Sequence, residues 1–316
     1  MSSPDATEHF ATLFDIHYLP QGIALHQSLM EQARPFHLWV LCMDQAVEQA
    51  LRKLALPDVT LLPLNSVETG LLQAAKADRS VGEYCWTLTP FLPGFVFQQA
   101  PHLRRVTYLD ADLYFFDSPV VLLNEFERSG KHVLITEHAY APEYASSIRF
   151  GRFCVQFMTF RNTQAARKVM SWWRDRCLEW CYAREEDGKF GDQKYLDDWP
   201  ARFREEVHVL EQTHKTLAPW NVDYTLRRTG EAKPVFFHFH SLKLYRPERV
   251  RLFTTYRIGL KNMWVYERYL IAFRDGLRRL REIGVPIRTL PLEREPLLWL
   301  RRPKWWLQGR LRFASV

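Results

Sequence analysis

Three common catalytic signatures are missing from this chain. It has no G-x-x-x-x-G-K-[ST] loop, so phosphate binding by a P-loop is not expected. No G-x-G-x-x-G follows the first apolar run, which argues against dinucleotide redox chemistry, and there is no G-x-S-x-G nucleophile elbow. Any nucleotide would therefore have to be held by a metal and by side chains. No apolar run approaches the roughly 20 residues needed to cross a bilayer. No N-terminal stretch joins a basic segment to an apolar one as a signal peptide does. The five cysteines (Cys42, Cys85, Cys154, Cys177 and Cys181) match no zinc or redox spacing. Cys177 and Cys181 can share a helix face, where packing is the expectation. Reduced thiols in a cytoplasmic protein follow.

The 316 residues, 47% hydrophobic and 25% charged, suffice for one large α/β domain with an appendage or for two small domains. The net charge of +7 is unevenly spread. From Lys243 onward there are 18 Lys and Arg against 6 Asp and Glu, or +12, which leaves −5 for the rest. This basic segment is rich in tryptophan. It suits an anionic membrane or nucleic acid, or else forms a solvated helical face.

Apolar runs at 9–15, 36–43 and 59–64, with a helix over 22–32 after a loop through Pro20, predict parallel strands joined by crossover helices. A helix kinked at Pro93 is expected over 88–99. Further strands are expected at 133–137, 153–160, 208–209 and 235–240, and helices at 164–185 and 262–283. The residues 104–116, RRVTYLDADLYFF, are the most informative. Asp110-Ala111-Asp112 arrives where a buried strand leaves the sheet. Alternate residues of a strand share a face, and a bend there is expected to bring both acids onto one ligand. Carboxylate oxygens suit Mg2+ or Mn2+, which can also carry a diphosphate; the alternative is a solvated turn.

VFFHFH sets His238 and His240 two residues apart with Lys243 soon after, offering an imidazole as a metal ligand and an ammonium for a phosphate. In KFGDQKYL, Asp192 and Gln193 can hydrogen-bond sugar hydroxyls, or Asp192 can merely cap the turn that follows. Trp220-Asn221 after Ala218-Pro219 forms a rigid aromatic–polar corner that suits a sugar face or packing.

Over roughly residues 9–245 these pieces resemble nucleotide-sugar glycosyltransferases of the GT-A fold, nearest in layout to glycosyltransferase family 8 and its bacterial relatives. The resemblance implies a Rossmann-like mixed sheet, mostly parallel and flanked by helices. A catalytic domain would span 1–245, and a helical, Arg/Trp-rich basic extension 246–316. FATLFDIHYLPQG is similar to the family's first strand and loop, with Phe14, Asp15 and Tyr18 against the nucleoside. YLDADLYFF matches the D-x-D, giving Asp110, Ala111 and Asp112 the donor diphosphate and the metal. GDQKYL matches the segment near the donor sugar, giving Asp192 and Gln193 catalytic roles. HFHSLK is similar to the closing motif that supplies a metal-ligand histidine, His238 or His240 with His238 preferred, and a phosphate-binding Lys243. FCVQFMTFRN departs from the pattern: Cys154 and Gln156 stand where asparagine and glycine are usual, so Gln156 would belong to an altered donor-sugar pocket. Thr87-Leu88 replaces an arginine-leucine pair, and HFHSLK is one residue short.

The implied activity is that of a metal-dependent hexosyltransferase. It would use Mn2+ or Mg2+ and a nucleoside-diphosphate sugar such as a UDP-sugar, with retention. The acceptor would be a hydroxyl on a glycan or lipid-linked glycan, in bacterial surface polysaccharide synthesis. If the enzyme inverts, Asp192 is the candidate base. A sugar nucleotidyltransferase would need a basic, glycine-rich loop, which FDIHYLPQG is not. A nucleic-acid-binding protein fits the basic tail but not the acidic body, so no nucleic acid is expected. Arg278, Arg279, Arg281, Trp299, Arg301, Arg302, Lys304, Trp305, Trp306, Arg310 and Arg312 suggest peripheral attachment to the inner face of the cytoplasmic membrane.

Overall fold

A computed structural model describes residues 7–230, 233–291 and 311–316. The first strand, β1 (Glu8–Phe14), runs into helix α1 (Leu19–Gln32). There follow β2 (Phe36–Cys42), α2 (Gln45–Leu54), β3 (Val59–Pro63), α3 (Gly70–Ala77), α4 (Val81–Leu88), α5 (Leu92–Gln99), β4 (Arg105–Leu109), β5 (Leu113–Phe115), α6 (Val120–Ser129) and β6 (Val133–Glu137). Next come β7 (Phe153–Arg161), α7 (Gln164–Glu179), α8 (Trp199–Arg202), β8 (Val207–Val209), β9 (Thr216–Leu217), α9 (Val222–Thr229) and β10 (Phe236–His238). The chain closes with β11 (Lys243–Arg246), β12 (Arg249–Thr254), α10 (Trp264–Glu282) and β13 (Leu311–Ser315).

Among the described residues, seven strands form the main sheet in the order β3-β2-β1-β4-β7-β6-β8. Every pairing is parallel except the two made by β7. The mixed, mostly parallel sheet flanked by helices is therefore as expected. The strands read as unbroken apolar runs because both faces are covered. One core lies on the side of α4, α5 and α7, the other on the side of α1, α2 and α6.

Several boundaries differ from the expectation. Helix α1 already begins at Leu19, since Pro20 sits in its first turn, where the missing N–H costs nothing. The 88–99 stretch is not one helix kinked at Pro93. A 3-10 turn at Thr89–Phe91 separates α4 from α5, with Pro90 and Pro93 each in a first turn. Helix α7 stops at Glu179, because Trp180 is extended. Strand β10 stops at His238, and the backbone turns through Ser241 at φ +69°.

The extension is only partly helical. Helix α10 is present and ends at Gly284, whose φ of +67° is the left-handed conformation that glycine accepts readily. Strands β11, β12 and β13 add an antiparallel sheet that the reading above lacks. Helix α10 lies against α1, where Gly276 allows close approach: a Cβ there would stand 3.2 Å from Ile23 Cγ2. Its Tyr266, Tyr269, Phe273 and Leu277 are buried with Phe237 and Phe239, one core spanning residue 245. Burial of each such side chain contributes about 1.5–3 kcal/mol. Trp299, Arg301, Arg302, Lys304, Trp305, Trp306 and Arg310 lie outside the described residues. Of the other basic residues named above, Arg278 pairs with Asp275 and Glu282, and Arg312 lies on β13.

Candidate active site

Strand β4 carries its chain to the carboxyl edge of the sheet, where Asp110 N donates to Gln156 O at 3.0 Å and the backbone turns. A further bond from Leu113 N to Asp110 O, 3.2 Å, closes that turn. This is the expected bend, and both acids reach the same histidine. The chain then enters β5, which pairs antiparallel with β10 and sets Leu113 opposite His238. Phe239 N donates to Asp112 O at 2.9 Å and extends the pairing by one bond. Register alone thus brings a histidine from late in the chain to the two acids. His238 Nε2 stands 3.1 Å from Asp112 Oδ1 and 3.7 Å from Asp110 Oδ2.

On the other side of the ring, His238 Nδ1 donates to Gln156 Oε1 at 2.8 Å. The Tyr108 hydroxyl donates to Asp110 Oδ1 at 2.9 Å. A third neighbour is Cys154: among the described residues, Asp110, Cys154 and His238 offer ligand atoms all within 4.8 Å of one another. Loss of solvent raises the Asp110 carboxyl, His238 pulls it down, and Asp112's charge adds to the rise, leaving it pushed up to about 6. Burial also opposes ionisation of Asp112, but the charge and hydrogen bond of His238 hold it below the usual carboxylate range. Burial disfavours a charged His238; Asp112 and Cys154 outweigh this and hold the imidazolium well above its ordinary range. The donor set of carboxylate oxygens and an imidazole nitrogen fits a divalent ion, which would compete with protons for these groups.

The cluster lines a cavity of about 930 Å³. Phe14, Asp15 and Tyr18 line one part of it, and Ala111 lies between the acids. Asp15 Oδ1 accepts from the backbone N–H of His17 at 3.0 Å and of Tyr18 at 3.3 Å, shaping the loop that presents Tyr18. The tip of the Phe14 ring approaches α1 at Gly22, which has no Cβ to strike it. Asp192 and Gln193 also line the cavity. Asp192 is buried and makes no capping bond to the turn after it. Burial first, then the charge of Asp110, push its carboxyl well up. Gln193 Nε2 donates to Phe150 O at 3.0 Å.

Three sequence-derived candidates sit differently from the expectation. Gln156 does not line the cavity; it is buried behind His238 and holds that ring. His240 does line it but stands outside the tight group, its ring centroid 5.7 Å from that of His238. Lys243 is not among the lining residues, and its Nζ donates to Pro291 O at 3.4 Å. The antiparallel pairing of β11 with β12 carries it along another sheet.

Other lining residues were not singled out. His138 stacks on Tyr140 with centroids 4.6 Å apart, and its carbonyl accepts from Trp220 Nε1 at 2.6 Å and Asn221 Nδ2 at 3.1 Å. Tyr144 packs edge-on to Tyr256, and Tyr256 contacts Trp220. The A-P-W-N corner was the one visible sign of this aromatic wall. Acids dominate the cavity's charge: Asp15, Asp110, Asp112, Glu143 and Asp192 line it, with no lysine or arginine among the described lining residues.

No protein-family model matches the chain. It is 30% identical to "Uncharacterized protein YfnD" of Bacillus subtilis (strain 168) over 263 residues, covering 80% of this chain and 84% of that protein. It is 32% identical to "Uncharacterized protein YfnF" of the same organism over 198 residues, 60% of this chain and 65% of that one. Among solved structures, the galactosyltransferase LgtC in complex with donor and acceptor sugar analogs superposes with a TM-score of 0.54 at 13% identity, covering 84% of this chain and 95% of that one. The apo form of glycosyltransferase GlyE from Streptococcus pneumoniae TIGR4 gives 0.53 at 15% identity, covering 92% of this chain and 66% of that one. At such identity the likeness establishes the fold, the GT-A fold.

Proposed function

We propose that this chain, which belongs to the same family as YfnD of Bacillus subtilis and has the GT-A fold, is a metal-dependent glycosyltransferase. It would move a sugar from a nucleoside-diphosphate donor to a hydroxyl of a glycan or lipid-linked glycan. The observation that carries this reading is the meeting of Asp110, Asp112 and His238 in a cavity lined by five acids and, among the described residues, no lysine or arginine. A diphosphate could not enter such a cavity unless a divalent cation came with it. Asp110, Asp112 and His238 would hold that ion. When bound, it supplies positive charge to both phosphates and to the departing diphosphate.

The chain's own residues do the rest. Gln156 holds the Nδ1 proton of His238, so Nε2 presents its lone pair to the cation once the ring is neutral. Tyr108 orients Asp110. Asp192, kept protonated, would donate a hydrogen bond to the donor sugar, and Tyr18 would face the nucleoside. The aromatic wall of Tyr140, Trp220 and Tyr256 offers apolar faces for a second sugar ring. Burial that disfavours ionisation of Asp192 makes it a poor base, which favours retention: the leaving phosphate would take the acceptor's proton. Charge stabilisation is assigned to the cation rather than to Lys243.

Screening nucleotide sugars for Mn2+-dependent hydrolysis tests class and donor together; no turnover of any donor with any divalent ion would end the proposal. The Arg/Trp-rich end would attach the enzyme to anionic lipid beside a lipid-linked acceptor. Among the described residues, no helix is long and apolar enough to cross a membrane. Flotation with anionic vesicles should weaken when Arg301→Gln, Arg302→Gln and Lys304→Gln are combined, and unchanged flotation would remove the membrane clause.

A further inference from the structure

Strand β7 presents two side chains to His238. Residues two apart on a strand share a face: Gln156 accepts the Nδ1 proton, and the Cys154 sulfur lies within 4.8 Å of a ring nitrogen of the same imidazole. Cys154 is 4% exposed, lines the cavity, and completes the group whose ligand atoms lie within 4.8 Å of one another. A tetrahedral ion with ligands at about 2.0–2.3 Å would hold those atoms roughly 3.3–3.7 Å apart, a closure of about an ångström. Side-chain rotation supplies that much.

We propose that Cys154 is a ligand of the same cation, with Asp110 and His238, and that the site therefore prefers a thiophilic ion of the Zn2+ or Co2+ class over Mg2+. Sulfur, nitrogen and oxygen from three protein residues with the remaining position open is the arrangement of catalytic zinc sites. In this chain Asp112 stands beside that group, and a shell expanded to five would keep it as a ligand while leaving one position toward the cavity for a phosphate oxygen of the donor. Thiolate is a soft ligand that Mg2+ does not favour. On binding, the S–H bond breaks as the S–metal bond forms, and the proton leaves to solvent. This inference rests on the cation reading of the site, but it can be tested without any sugar transfer.

The test is a Co2+ titration of the metal-stripped full-length protein, followed in the near ultraviolet, where thiolate-to-cobalt charge transfer absorbs. Wild-type protein should develop that band and saturate at one ion per chain. Cys154→Ser should lose the band and bind Zn2+ at least about tenfold more weakly, since loss of even an outer-shell partner typically costs 10–100-fold. Its Mg2+ affinity should change little. Cys85→Ser is the control for the other cavity-lining thiol and should keep the band. Cys154→Asn gives a second variant should the serine form fold poorly, as judged by circular dichroism. Co2+ bound by wild type without the band, or a band that survives Cys154→Ser, would overturn the cysteine assignment and leave the glycosyltransferase reading standing. No Co2+ bound at all would overturn both.

Discussion

Replacing Gln156 with leucine separates the role of positioning His238 from that of packing. Gln156 is 1% exposed and His238 5%, and the 2.8 Å bond from Nδ1 to Oε1 is the one that sets which nitrogen faces the acids. Gln156→Leu leaves a buried N–H unsatisfied, at a stability cost of about 1–3 kcal/mol. It also frees the ring to change tautomer, so cation affinity should fall about 10–100-fold, or roughly 1.4–2.7 kcal/mol. Gln156→Glu still accepts from Nδ1, and its charge makes the imidazole a stronger ligand, so affinity should be kept or should rise. Calorimetric titration with Mn2+ and Zn2+, paired with urea melts, reads both quantities. If both variants lose stability while cation affinity stays at the wild-type value, Gln156 only fills space and the positioning argument fails.

Asp110→Asn and Asp112→Asn should each lower transfer by at least about a hundredfold while leaving the melting curve near wild type, the scale expected for lost electrostatic stabilisation; near-normal turnover with the metal still required would remove the assignment. Gly22→Ala should destabilise the protein by about 1–3 kcal/mol despite alanine's helix propensity, because the new Cβ would stand 2.4 Å from Phe14 Cζ. Gly70→Ala, with nothing within 4 Å, is the control and should not destabilise in urea melts. His138, its pKa driven down to about 3 by burial above all, stays neutral in the folded state while the unfolded chain protonates near 6.5. Its contribution is therefore intact above pH 6.5 and is lost toward about 3, at about 1.4 kcal/mol per pH unit. His138→Phe should flatten the acid limb of stability by about that slope, and an unchanged slope would contradict it.

The main sheet was legible because its central strands are buried on both faces and spell apolar runs that end in turn chemistry. β1, β2 and β7 could be read from that alone, and the edge strand β3 from its apolar run despite its partial exposure. α2 was missed although Asp44 caps it at Val47 N, because its apolar stripe covers little more than two turns. The β11-β12-β13 sheet was invisible for a different reason: RVRLFT alternates arginine with apolar residues, and its partner β13 lies more than fifty residues later. Local pattern carries no information about such pairing.

The site divides in the same way. Asp110 and Asp112 announce themselves beside a strand, and His238 follows in a motif of known type. What Gln156 and Cys154 touch depends on the facing of β7 and β10, 82 residues apart for the Gln156–His238 bond, so Gln156 was assigned to the sugar and Cys154 to no role. Lys243 was placed by analogy with a motif one residue longer, and its strand runs in the sheet with β12 rather than along the cavity.

The account depends most on the claim that a divalent cation held by the acids and His238 is what admits a diphosphate to an otherwise acidic cavity. Calorimetric titration of UDP into the protein, with the cation and then with excess chelator, addresses it directly. Saturable binding that needs the cation, and that is lost in Asp112→Asn, is the predicted result. UDP binding of equal strength in chelator would contradict it.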